Sequence, residues 1–121
     1  MDFLEEVAKV AKDLGLSYEK EESVRIHIGG LIMEISPSDG GGRVVISMQL
    51  PSEDASPEDV KEAAENFGKA LSIAFKLGGE LRYELDTSLP SYPYLYIVRE
   101  YDDAKKLVDD LRKVLGELRI L

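Results

Sequence analysis

Residues 24–35 carry the pattern that most limits what this chain can fold into. Two runs of alternating apolar and polar residues flank Gly29 and Gly30, and alternation at period two is typical of strands with one buried face. A Gly-Gly pair can adopt the backbone angles of a two-residue hairpin turn, so the two runs are predicted to pair with each other. The predicted cross-strand pairs are Val24 with Ile35, Ile26 with Met33 and Ile28 with Leu31 on one face, and Arg25 with Glu34 and His27 with Ile32 on the other.

Periodicity predicts three helices and three further strands in the rest of the chain. The second helix has the clearest start, because Ser56 is a favourable N-cap and Pro57 suits the first helical position. The glycine-rich residues 36–42 predict a flexible loop between strands. The predicted helices are residues 2–14, 57–77 and 104–118, and the further strands are residues 44–50, 81–85 and 94–99. The stripe of the second helix predicted to face the core consists of Val60, Ala63, Ala64, Phe67, Leu71, Ala74 and Leu77.

The predicted element order is α-β-β-β-α-β-β-α. Strands joined by hairpins favour an antiparallel sheet with the helices gathered on one of its faces. We therefore expect an α+β fold with a five-stranded, mainly antiparallel sheet and helices packed on one face. A length of 121 residues is typical of one domain, so residues 1–121 are expected to form a single α+β domain.

Charge and composition exclude several classes of function. The chain has 24 acidic and 15 basic residues, and a net charge of −9 repels phosphate, so we expect no nucleic-acid partner and no membrane partner. The sequence contains no cysteine, which excludes disulfides, thiolate catalysis and thiolate metal ligands. No signal-peptide pattern is present, so we expect a cytoplasmic protein. A single asparagine and a single glutamine beside abundant Glu and Lys predict a thermophilic source.

No constellation of residues predicts catalysis. His27 is the only histidine, and the hairpin register places it beside Ile32 on the face away from the core. Neighbouring acids such as Asp109 and Asp110 point about 100° apart on a helix and have lysines four residues away, as on a solvated helix surface. Residues 39–43 lead into a strand rather than into a helix, unlike a phosphate-binding loop. We expect a non-enzyme with no catalytic residue, no metal and no cofactor.

The candidate partner-binding residues are aromatic and apolar side chains of the predicted sheet. Tyr92, Tyr94 and Tyr96 recur at period two, and tyrosine offers a large contact area with a polar tip at low entropic cost. Ile32 and Val45 are predicted to join them on the sheet face away from the helices. The pattern leaves open whether Tyr94, Tyr96 and Val98 or instead Leu95 and Ile97 face the helices. A dimer contact could use this sheet face or the helix over residues 57–77.

The order of these elements from Asp2 to Leu118, together with the small size and the acidity, resembles the type III secretion chaperones and the related YbjN-type superfamily of bacterial sensory-regulator-like proteins. The resemblance covers nearly the whole chain, but it rests on element order and transfers no residue role. It implies a small, acidic, non-enzymatic protein that is often dimeric and binds a segment of another protein.

The function expected from the sequence is a non-enzymatic protein-interaction module that forms a homodimer and binds a segment of a client protein in the manner of a chaperone. The alternative is a small-molecule sensor or regulatory domain, or a weak enzyme, with a pocket between the C-terminal helix and the sheet. Tyr83, Tyr96 and Arg99 would be the polar groups of that pocket.

Overall fold

The computed structural model of the protein describes residues 2–120 of the chain, with side chains through Leu118. Met1 and Leu121, which belong to the domain predicted over residues 1–121, lie outside the described residues. The elements are α1 (Phe3–Asp13), β1 (Ser17–Lys20), β2 (Val24–Ile28), β3 (Leu31–Ser38), β4 (Gly41–Gln49), α2 (Pro57–Lys76), β5 (Glu80–Asp86), β6 (Tyr94–Tyr101) and α3 (Ala104–Ile120).

The strands form one antiparallel sheet in the order β1-β2-β3-β4-β6-β5. The α+β class and the placement of the helices on one face are therefore confirmed, while the expected number of five strands is wrong. The missed strand is β1, which has four residues and pairs with β2 at the edge of the sheet. Because Tyr18 is its one apolar residue, β1 lacks the alternation that identifies a strand.

The β2–β3 hairpin has the predicted register at all five residue pairs. Gly29 adopts a φ of 59°, which an L side chain rarely takes, and thereby forms the turn. Gly30 is needed for a different reason, because a Cβ atom there would collide with the amide of Asn66 on α2. The turn is thus fixed by backbone conformation at its first residue and by helix packing at its second.

The prediction of a flexible loop over residues 36–42 is wrong. β3 continues to Ser38 and β4 begins at Gly41, so only Asp39 and Gly40 remain as a turn, with a φ of 74° at Gly40. Gly41 and Gly42 lie within β4, and glycine is needed at both positions because other elements approach them closely. A Cβ atom on Gly41 would overlap the backbone carbonyl of Tyr101, and one on Gly42 would lie 2.7 Å from the Phe3 ring. The glycines that suggested flexibility instead permit tight packing.

The core lies between the helices and one face of the sheet, which we call the helix face. Alternate residues of the four central strands point into it, and the opposite face, the outer face, carries no helix. In β6 the buried Ile97 lies on the helix face, and Tyr94 and Tyr96 lie on the outer face. This settles the orientation of the strand that the sequence left open. The largest fully buried side chains are Ile26, Leu31, Met33, Ile35, Ile46, Ile73, Ile97, Leu107, Leu111, Leu115, Val7 and Val10.

A polar network joins β6, the end of α2 and α3. The Tyr101 hydroxyl donates to Asp110 Oδ2 at 2.8 Å and accepts from the Gly78 backbone N–H at 2.6 Å. Burial of Tyr101 and its hydrogen bond to Asp110 raise the pKa of the phenol. Burial also disfavours the charge on Asp110, but hydrogen bonds from Lys106 and Tyr101 outweigh it and hold the pKa of this carboxyl below its usual value.

The close approach at Gly41 gives a prediction with an internal control. Gly41→Ala should lower the free energy of unfolding by about 1–3 kcal/mol, because the new methyl group meets backbone rather than a movable side chain. Gly68→Ala in α2 should raise it by about 1 kcal/mol, because open space surrounds that position and alanine favours a helix. Urea unfolding of both variants measures the two shifts. Equal shifts would contradict the packing argument.

The Tyr101 network gives a second prediction. Tyr101→Phe should lower the free energy of unfolding by about 1–3 kcal/mol, because it leaves the Gly78 N–H without its partner while keeping the ring in place. Asp110 has a lowered pKa when folded, so its stabilisation is complete above the unfolded value of about 4 and is lost as the pH falls through the folded value. The difference between wild type and Tyr101→Phe should therefore shrink below about pH 4. A difference that does not change with pH would show that the Asp110 bond contributes nothing.

Candidate interaction surfaces

Four of the five candidate partner-binding residues lie together on the outer face. Ile32 lies in β3 opposite Ser47 of β4, and Val45 lies in β4 opposite Val98 of β6. Tyr94 and Tyr96 follow on β6, with ring centroids 6.2 Å apart and planes inclined by 18°. Tyr92 precedes β6 and is 59% exposed. The structure therefore brings Ile32, Val45, Tyr94 and Tyr96 onto one surface and places Tyr92 beyond the end of the strand.

Ion pairs and a histidine–carboxylate hydrogen bond flank this apolar strip. On β2 and β3, Arg25 lies 3.3 Å from Glu34, and on β1 and β2, His27 Nε2 lies 2.7 Å from Glu19. On the other side, Arg82 of β5 lies 3.7 Å from Glu84. At one end of the strip, Arg43 of β4 donates two hydrogen bonds to Glu100 of β6, at 2.8 and 3.0 Å. These bonds raise the pKa of Arg43 and lower that of Glu100.

The strip itself is only partly accessible. Ile32, Val45 and Tyr96 are half-buried, and Val98 is fully buried although no helix covers this face. Cover for Val98 must therefore come from side chains of its own face, and its cross-strand neighbours are Val45 and Arg82. Long arginine stems can shield apolar surface while their charged ends stay in water. The outer face is thus a narrow apolar strip between charged borders.

A larger exposed apolar surface lies on the helix face, between α2 and β5. We call it the α2–β5 surface, and its members are Val60, Phe67 and Phe75 of α2 and Tyr83 and Leu85 of β5, which are 38–62% exposed. The three α2 residues are spaced seven and eight residues apart, which places them within about 80° of one another around the helix.

Two observations place the apolar side of α2 next to β5. Lys76 lies on another side of the helix and pairs with Glu117 of α3 at 3.5 Å, and Asn66 faces the turn at Gly30. The side that carries Phe67 and Phe75 therefore points away from α3, and β5 follows β6 in that direction. On β5, the register with β6 places Tyr83 opposite Ile97 and thus on the helix face. α2 packs against β4 and β6, which leaves the helix face of β5 open.

Sequence reasoning missed this surface because it assigned one apolar stripe of α2 to the core. The residues of α2 that the core buries are Ala70, Ile73 and Ala74, whereas Val60 and Phe67 of the predicted stripe are exposed. A signal was present in Phe75, which does not fit the predicted stripe. More apolar positions than one buried face can hold indicate a second apolar surface.

The polar groups proposed for a small-molecule pocket do not converge. Tyr83 lies on the helix face and Tyr96 on the outer face. Arg99 is engaged at the end of α2, where it donates to the carbonyls of Ala74 at 2.8 Å and Gly79 at 3.0 Å. These three residues therefore form no common site.

Other clefts are open and mostly polar. One of about 490 Å³ lies between the start of α2 and the end of β4, and its charged residues are Asp54, Asp59 and Glu62. Within residues 2–120, no group of three or more histidine or acidic side chains is arranged to hold a metal ion. Among the described helices, none is both long and apolar enough to cross a membrane.

Comparisons with known proteins identify a similar fold but no family. No protein-family model matches the sequence, and no curated protein matches it. Among solved structures, the chain is similar to the crystal structure of YbjN from E. coli, a proposed transcription regulator, with a TM-score of 0.51 and 14% sequence identity. The similarity covers 97% of this chain and 86% of the YbjN chain. At this identity the likeness shows the fold alone, and the fold is the YbjN type that the element order predicts.

Proposed function

We propose that this chain is a non-enzymatic protein-interaction module that forms a homodimer through the α2–β5 surface and binds a segment of a client protein on its outer face. The observation that carries the proposal is the α2–β5 surface. Soluble monomers rarely leave several large apolar side chains exposed side by side, and such patches are typical of protein interfaces.

The distribution of apolar residues supports separate places for the dimer contact and the client. Phe75 and Leu85 on the α2–β5 surface are each about 60% exposed, whereas Ile32 and Val45 are half-buried between ion pairs. A permanent interface needs a broad apolar area, whereas a transiently bound client suits a narrow apolar strip with polar borders. The dimer is therefore assigned to the α2–β5 surface and the client to the outer face.

YbjN is a proposed transcription regulator, and such a role agrees with an interaction role for this chain. A regulator can act through nucleic acid or through other proteins. The net charge of −9 of this chain opposes binding to phosphate, so we assign it protein partners.

The dimer is tested by one charge placed on the α2–β5 surface. Phe75→Glu should convert a dimer of about twice the 13.5 kDa chain mass into folded monomers, because the interface would bury an unpaired carboxylate. Tyr92→Glu is a matched control, since both side chains are 59% exposed and only Phe75 belongs to the surface. Light scattering over a concentration series gives the masses, and circular dichroism checks folding. A wild type that is monomeric throughout contradicts the homodimer.

The outer face is tested by Ile32→Glu. We expect a folded dimer, because Ile32 lies outside the α2–β5 surface. In a peptide library selected on wild-type protein, the recovered peptides should bind Ile32→Glu at least tenfold more weakly and Phe75→Glu monomers normally. Folded monomers of Ile32→Glu would instead place the dimer contact on the outer face, and a misfolded variant would show that Ile32 serves the core.

A further inference from the structure

We propose that the two copies of the homodimer, on which this inference rests, join edge to edge through β5. The strands would run antiparallel around a two-fold axis at Tyr83, so that the two sheets become one continuous sheet. The occupant of the open β5 edge is thus a second copy of this chain.

The edge of β5 is built to accept a strand. β5 pairs with β6 on one side, and its seven residues carry no proline, glycine or bulge that would block pairing on the other side. Natural edge strands usually have such protection, because unpaired backbone N–H and C=O groups invite another chain. The opposite edge, β1, has only four residues, and its Lys20 is tied to Glu5 of α1.

The sequence of β5 is self-complementary around Tyr83. Antiparallel pairing about this residue sets Leu81 opposite Leu85 of the second copy and Tyr83 opposite its own equivalent, all on the helix face. On the outer face it sets Arg82 opposite Glu84 of the second copy, twice by symmetry. Directly opposed side chains of opposite charge and of apolar type are the pairs that stabilise a sheet.

Charge and the length of the paired strand together favour this register over its neighbours. Centring the axis on Arg82 would set Arg82 against its own copy and Glu80 against Glu84. Centring it on Glu84 would set Arg82 opposite Asp86, but it would also set two glutamates together. It would leave Glu80 and Leu81 beyond the partner strand. The Tyr83 register pairs all seven residues. Its unfavourable pair, Glu80 with Asp86, also occurs twice by symmetry, but it lies at the exposed ends where water and salt weaken repulsion.

The exposed apolar residues of α2 lie on the side of the helix turned away from α3, in the direction of the β5 edge. Pairing at Tyr83 would line up six apolar side chains from two β5 strands on the helix face, with Phe67 and Phe75 of each copy alongside. The same dimer therefore covers both parts of the α2–β5 surface. This agreement between backbone edge, side-chain pairs and exposed apolar area favours a second copy over an unrelated partner.

A charge swap tests the register. Arg82→Glu and Glu84→Arg each replace two attractive pairs by two repulsive ones, so each variant alone should dimerise about tenfold or more weakly than wild type. When the two variants are mixed, the heterodimer regains opposite charges at both pairs and should form with nearly wild-type affinity. Native mass spectrometry distinguishes the species because the variants differ in mass.

A single substitution at the strand ends should strengthen the dimer. Glu80→Lys should dimerise several-fold more tightly than wild type, since it makes the end pairs with Asp86 attractive.

Glu22→Arg provides the matched control, because this exposed residue lies in the turn at the opposite edge of the sheet. It should leave the dimer unchanged. If wild type is dimeric and Phe75→Glu separates it, but the mixed variants show no preference for the heterodimer, strand pairing is overturned while the proposed function stands. If wild type is monomeric at every concentration, both proposals fail.

Discussion

The position of α2 over β4 and β6 is the constraint on which the exposed surfaces of this protein depend. Two polar side chains of β6 fix it: Arg99 donates to carbonyls at the end of α2, and the hydroxyl of Tyr101 accepts from Gly78 just beyond it. Because α2 is held above β6, its buried side covers the middle of the sheet and its second apolar side stays exposed, turned away from α3. The exposure of Tyr83 and Leu85 on the helix face of β5 follows from the anchoring of the helix.

The two faces of the sheet differ in how their apolar side chains are shielded from water. The helix face relies on helices and remains exposed where none reaches, at Tyr83 and Leu85. The outer face has no helix, yet it buries Val98 among side chains of its own, with ion pairs such as Arg43–Glu100 along the borders. One chain therefore carries a broad apolar area at its edge and a screened apolar strip at its centre, and this contrast underlies the proposed separation of dimer contact and client site.

Local patterns were predictable from the sequence, and long-range packing was not. The β2–β3 register follows from a turn and its adjacent residues, so all five pairs could be assigned. Strand β1 has too few apolar residues to be recognised before its partner is known. In the sequence, Gly41 indicated flexibility, but it lies in a strand. Its real role, to make room for the backbone of Tyr101, becomes visible only when the fold brings the two residues together. The exposed side of α2 was missed for the same reason, because helix periodicity identifies apolar sides without showing which one the core will use.

The insertion of β6 between β4 and β5 has a consequence for how the chain folds. Strands β2, β3 and β4 are joined by two-residue turns, so their contacts are close in sequence and can form early. β6 must return to β4 after more than forty residues that include α2, and such long-range pairing is slow. Until it arrives, β4 is itself an open edge in the middle of the future sheet. The strand that completes the fold is therefore also the one that protects the nascent chain from pairing with its neighbours.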